Sequence, residues 1–161
     1  MRRSSVRPSQ ITVWGTVVGI VLLARADVTL QEPSAGVRFL PGREVTAAFE
    51  KGGTILEDAA YKVLAGHRDE PGEAEVHERD TDIFYVLSGT ATIVTGGAVV
   101  DGKTTEAGEI RGPSIDGGDT RPLAKDDMLV VPHGTPHQFT EVSTPFLYYI
   151  IKVTAPEKAG G

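Results

Sequence analysis

The chain has 161 residues, no cysteine and a formal charge of −6. That length suits one domain with one hydrophobic core. The lack of thiols excludes both a disulfide scaffold and a thiolate metal site.

The N-terminus has the three parts of an export signal. Residues 1–10, M-R-R-S-S-V-R-P-S-Q, carry Arg2, Arg3 and Arg7 and no acid, and residues 11–24 carry no charge at all. Ala24-Arg25-Ala26 supplies a small-residue cleavage pattern, with Arg25 an unusual occupant. An apolar run of 14 residues falls short of the roughly 20 that a spanning helix needs. The expectation is a signal peptide over residues 1–26, with an uncleaved anchor as the alternative. The mature protein would be periplasmic or secreted, with no stable membrane span. Cleavage would remove four arginines and leave 12 basic and 22 acidic residues, net −10. A surface that acidic repels phosphate backbones, so no nucleic-acid partner is expected.

Residues 27–42 read as an extended arm. Residues 43–60 are ambiguous: Val45, Ala48 and Phe49 share one face of a short helical turn, broken at Gly52-Gly53. From Tyr61 the pattern is strand and turn. Y-K-V-L-A-G-H (61–67) ends near the turn signal Pro71-Gly72, and A-E-V-H-E (74–78) alternates. D-I-F-Y-V-L (82–87), A-T-I-V-T (91–95), A-V-V (98–100), M-L-V-V-P (128–132) and F-L-Y-Y-I-I-K-V (146–153) follow as apolar strands. Residues 101–120, rich in Gly, Asp and Thr, read as either a lid or a long hairpin. Residues 156–161 read as a frayed tail. Many short strands with frequent turns predict an all-β barrel or sandwich, of which a jelly roll is one form.

Two stretches carry chemistry. Alternate strand residues share a face, so Glu75 and His77 lie together. Asp82 opens the next strand and, if the two strands are neighbours, points back towards His77. Further on, Pro132, Gly134 and Pro136 build a rigid turn that delivers His137 to the start of a strand. Two imidazoles with one or two carboxylates suit a divalent transition metal. The bland alternative is a hydrogen-bonded polar cluster.

These stretches resemble the two motifs of the cupin superfamily. Glu75, His77, Asp82 and Gly89 match the spacing of the first motif, G-x5-H-x-H-x3,4-E-x6-G. Asp126, Pro132, Gly134, His137 and Glu141 match the second, G-x5-P-x-G-x2-H-x3-N. The resemblance implies a single-domain, cupin-type jelly-roll β-barrel over residues 43–155. It implies a metal held by Glu75, His77, Asp82 and His137, with Glu75 and Asp82 standing where the family has histidine and glutamate. Such an anionic donor set leans towards Fe(II) or Mn(II), with Zn or Ni possible. Glu75 is a ligand or, alternatively, a general base beside the metal. Phe84 and Phe139 are expected to line a substrate pocket. His67 is either a further pocket residue or an exposed strand end. The implied function is a metal-dependent small-molecule enzyme of the dioxygenase, isomerase or lyase type. Its rival is a cupin that binds a sugar-like ligand without turnover. Both faces of residues 82–87 are apolar, so the outer face calls for a cover, and a homodimer is expected.

Overall fold

Thirteen strands and one short helix make up residues 36–156, the part of the chain that the computed structural model describes. The signal expected at residues 1–26, residues 27–35 of the arm, and residues 157–161 of the tail lie outside the described residues. The end of the arm turns into α1 (Gly42–Ala48), and β1 (Gly53–Glu57) follows after Gly52-Gly53. The remaining strands are β2 (Tyr61–Arg68), β3 (Ala74–His77), β4 (Asp80–Ser88), β5 (Thr90–Thr95) and β6 (Ala98–Val100). Then come β7 (Lys103–Glu106), β8 (Glu109–Gly112), β9 (Ser114–Asp116), β10 (Asp119–Ala124), β11 (Met128–Val131), β12 (His137–Val142) and β13 (Phe146–Thr154).

The strands form a five-stranded sheet, β1-β2-β13-β4-β11, and a six-stranded sheet, β10-β5-β12-β3-β8-β7. A small β6-β9 ribbon stands apart. The pairings are antiparallel. Among the described residues no backbone ladder joins the two large sheets. The architecture is therefore two facing antiparallel sheets, and the expectation of a barrel is met only that far. The point of division matters for function. β3 and β4 are separated by Glu78 and Arg79 alone, yet they belong to different sheets. They are not hydrogen-bonded neighbours; the short link crosses from one layer to the other, and Asp82 still faces His77 from the opposite layer.

Period-two burial explains which side chains meet between the layers. On β4, Asp82, Phe84 and Val86 are buried, while Ile83, Tyr85 and Leu87 on the outer face are half-buried. β13 lies beside it with Tyr148 opposite Val86, Ile150 opposite Phe84 and Lys152 opposite Asp82. Phe84, Phe139, Phe146 and Tyr148 stack and tilt against one another with centroids 4.7–5.9 Å apart. Aromatic pairs of this kind add about 0.5–1.5 kcal/mol beyond the area they bury. The cluster is the apolar floor on which the polar site sits.

Tyr148 comes close to the backbone of β2. A Cβ built on Gly66 would stand 2.5 Å from its ring. Asp126, where the cupin motif has glycine, does adopt the left-handed conformation, with φ 73°. Aspartate is among the few residues that tolerate it.

Gly66→Ala should destabilise the protein by about 1–3 kcal/mol through overpacking. A urea midpoint indistinguishable from the native one would show that the ring has room to move.

Candidate metal centre

Register brings the site together before any side-chain chemistry does. His137 on β12 pairs directly with Glu75 on β3, and Glu75 pairs with Arg111 on β8. His77 pairs with Glu109. All lie on the inner face of the six-stranded sheet, and Asp82 and Lys152 meet them from the opposite layer. The turn before β12 is tied to the same strand: Gly134 N–H donates to the His77 carbonyl at 2.7 Å.

Ligand atoms of Glu75, His77 and His137 lie within 4.8 Å of one another. Both histidines are buried, at 3% and 4% exposure. Each has its Nδ1 against an acceptor. His77 Nδ1 donates to Glu109 Oε2 at 2.7 Å, and His137 Nδ1 donates to the Thr135 carbonyl at 3.2 Å. These contacts place a proton on Nδ1 and turn Nε2 towards the centre. His77 Nε2 is buried and has no hydrogen-bond partner. The nearest groups, Glu75 Oε2 at 3.5 Å and Asp82 Oδ2 at 3.4 Å, are too far. A buried orphan nitrogen beside carboxylates, with its other nitrogen held by a carboxylate, is the arrangement a divalent metal satisfies. The donor atoms of the three residues are of the right kinds and face one another closely enough to suit such an ion.

Electrostatics agree. Burial acts to raise the Glu75 carboxyl pKa, but His77, Arg111 and His137 outweigh it and hold it at about 2. Burial acts to lower His77, but Asp82 and Glu75 outweigh it and push it up to about 9. Burial keeps His137 below its usual value, hence neutral and able to ligate. Asp82 is lowered: burial opposes ionisation, and His77 and Lys152 overcome it.

Asp82 is where the expected four-ligand set changes. Its Oδ2 is 3.7 Å from His137 Nε2, so it faces the same centre. Both of its oxygens, however, accept from Lys152 Nζ, at 2.8 and 2.9 Å. The ammonium thus engages both carboxylate oxygens, and the close cluster comprises Glu75, His77 and His137 without Asp82. Lys152 was not expected at the site. Its strand parity with Phe146, Tyr148 and Ile150 was the available signal. Glu109 and Arg111 come from the 101–120 stretch, which is neither a free lid nor a bare hairpin. Its strand β8 extends the site sheet and supplies both residues; Arg111 reaches Glu75 Oε1 at 2.8 Å.

Two cavities adjoin the cluster. An inner chamber of about 50 Å³ is lined by Asp82, Phe84, His137, Phe139 and Tyr148. An outer cleft of about 390 Å³ is lined by Lys62, His77, Thr105, Glu109 and Arg111. Phe84 and Phe139 thus wall the chamber. His67 lines neither cavity. It takes the opposite parity to Arg68 on β2, and its Nδ1 is bound to the Phe49 carbonyl at 2.7 Å. His67 thus lies away from both cavities, contrary to the pocket role expected as one of its two readings. A larger cavity of about 530 Å³, beside Pro122 and Glu141, has no histidine and is remote from this chemistry.

No protein-family model matches the chain, and no curated protein does. Solved structures do. A Bacillus halodurans protein is 13% identical, with a TM-score of 0.53, over 79% of this chain and 89% of its own. The KdgF protein of a Halomonas species is 18% identical, with a TM-score of 0.48, over 66% and 81%. The cupin domain of Cnp3 from Schizosaccharomyces pombe is 11% identical, with a TM-score of 0.47, over 64% and 63%. At such identities likeness speaks for fold alone. The fold is a predominantly antiparallel β architecture, shared with the Bacillus halodurans protein. The buried Glu75–His77–His137 cluster is consistent with a divalent transition metal, and it favours a metal-dependent enzyme over a non-catalytic binder.

His77 links metal and pH. Its folded pKa of about 9 exceeds the unfolded value of about 6.5. Its charge therefore stabilises the metal-free fold fully below about pH 6.5, and that contribution is lost as pH rises through about 9. A metal ion must displace this proton, so metal binding should tighten as pH rises. Calorimetry near pH 7, in buffers of different ionisation enthalpy, should register about one proton released per ion. No release would mean that His77 is already neutral.

Proposed function

We propose that this chain is an exported, metal-dependent enzyme acting on a small molecule by dioxygenase, isomerase or lyase chemistry. Glu75, His77 and His137 hold the ion. The orphaned, buried Nε2 of His77 carries this reading. Two imidazoles and one carboxylate favour Fe(II) or Mn(II), while Zn or Ni could use the same donors. Once bound, the ion supplies Lewis acidity and open positions for an oxygen ligand.

The protein's own groups divide the remaining work. Glu109 fixes the His77 tautomer. Arg111 occupies Glu75 Oε1 and leaves Oε2 towards the centre, which favours the ligand role for Glu75 over the role of base. Asp82 Oδ2 then becomes the carboxylate available to accept a proton. Lys152 steadies it, and its lowered pKa keeps it ionised. Phe84, Phe139 and Tyr148 exclude bulk water from the inner chamber.

Export rests on the basic, apolar and small-residue order of residues 1–26. Pairing of two copies rests on the outer face of the five-stranded sheet, where Met128 and Val130 are 64% and 52% exposed beside Tyr85 and Ile83. A small-molecule substrate and no nucleic-acid partner are proposed on the cavities and the acidic composition.

Elemental analysis of the protein, exported by its own signal and purified without chelator, tests the reading directly. Near one equivalent of Fe or Mn per chain is expected, falling by about tenfold or more in His137→Ala, as removal of a ligand requires. Less than about a tenth of an equivalent, not restored by added metal, would leave the ligand-binding alternative. Intact mass of the same sample should show cleavage after Ala26, and light scattering should show a dimer. A full-length mass or a monomer would remove those two parts separately.

A further inference from the structure

The metal reading leaves one inward cation without a task. Arg68 ends β2 with its side chain 27% exposed, and three features fix it in place. Its Nε donates to the Tyr148 hydroxyl at 2.7 Å. Its guanidinium carbon stands 5.3 Å from the centroid of the Phe139 ring, over the ring face. Gly72 makes room for it, since a Cβ there would stand 2.6 Å from Nη1. Tyr148 is itself pinned against Gly66.

None of these contacts satisfies the two terminal nitrogens. Nη2 is 3.8 Å from Glu75 Oε1, an ion-pair distance too long for a hydrogen bond. That oxygen is already taken by Arg111 at 2.8 Å. A rigidly held guanidinium thus keeps its outer fork of donors without hydrogen bonds among the described residues. Lys152 stands near by, with two of its three N–H groups spent on Asp82.

The location says what the fork is for. Arg68, Glu75, Ile150 and Lys152 line both the inner chamber and the outer cleft, so they form the neck between them. The chamber, about 50 Å³, has room for one or two waters or one small polar group. The cleft, about 390 Å³, is of small-molecule size.

We propose that the neck is a carboxylate site, in which Arg68, aided by the remaining donor of Lys152, binds the carboxylate of a small organic acid. An adjoining oxygen of that acid enters the chamber towards the metal centre, and the body lies in the outer cleft. The second contact rests on the metal reading above; the arginine site does not. The planar fork also matches phosphate. Beyond the neck, the cleft wall carries Glu57, Asp80, Glu106 and Glu109 against Lys62 and Arg111, an acidic excess that repels a dianion more than a monoanion and so favours a carboxylate.

The test uses glycolate and its neutral amide, glycolamide, titrated by NMR into the full chain, zinc-loaded and metal-free. Inorganic phosphate is a third probe. Glycolate should bind both forms about tenfold or more tightly than glycolamide, as a charge-assisted contact requires. Arg68→Met should remove most of that preference in both forms, with metal content unchanged. Arg68→Lys keeps the charge on a compact head without the fork, and should lose several-fold even if the methionine variant does not fold. A preference that persists undiminished in the folded variants would overturn the assignment. So would phosphate binding more tightly than glycolate, or no preference in the native protein. If the native chain takes up no zinc, the metal reading fails alone, and the metal-free titrations still decide the arginine site.

Discussion

The cost of removing charge from water governs this protein. Between the sheets sit His77, Asp82 and His137, each under 5% exposed, with Glu75 and Lys152 only a little more open. Burying one ion without a partner costs several kcal/mol, so each group demands a counterpart at close range. Glu109 answers His77, Arg111 answers Glu75, and Lys152 answers Asp82. Each partner faces its counterpart across a strand ladder. The backbone pairing and the charge pairing are therefore the same arrangement, and neither tolerates a one-residue slip.

Much of this was legible in the chain. The ligands Glu75 and His77 could be read because strand alternation is local, and His137 because a Pro-Gly-Pro turn delivers it. The apolar strands around Phe84 and Tyr148 announced themselves in the same way. β10 did not, since D-T-R-P-L-A lacks alternation and carries a proline, which an edge strand accommodates. Nor did β7 and β8, whose polar residues reflect a role in the site and at an open edge, away from the core. Asp82 shows the deeper limit. Its identity and spacing mark it as a ligand, but its engagement depends on a lysine 70 residues away, set by inter-strand register. Arg68 is similar: its parity was available, but nothing local said which face of β2 was inward.

Likeness in fold reaches further across proteins than likeness in sequence here. The Bacillus halodurans structure shares the fold at 13% identity, where residue-by-residue transfer has no basis. What individualises this chain is the set of groups placed around that frame. A glutamate stands where the cupin motif has histidine, and a lysine engages both oxygens of the aspartate. A fixed arginine stands at the narrowest point. Chemistry follows from such placements and not from the frame.

The two-residue link of Glu78 and Arg79 separates the site mechanically. Glu75, His77 and His137 ride on one hydrogen-bonded sheet, so their mutual spacing is as stiff as a ladder. Asp82 and Lys152 ride on the other, joined to the first near the site by the link, by the turn between β11 and β12 and by side-chain packing. The spacing within the triad is set by one ladder, whereas the distance from the triad to the aspartate is set by packing between two layers. The metal-ligand spacing and the position of the neighbouring carboxylate therefore answer to different parts of the fold.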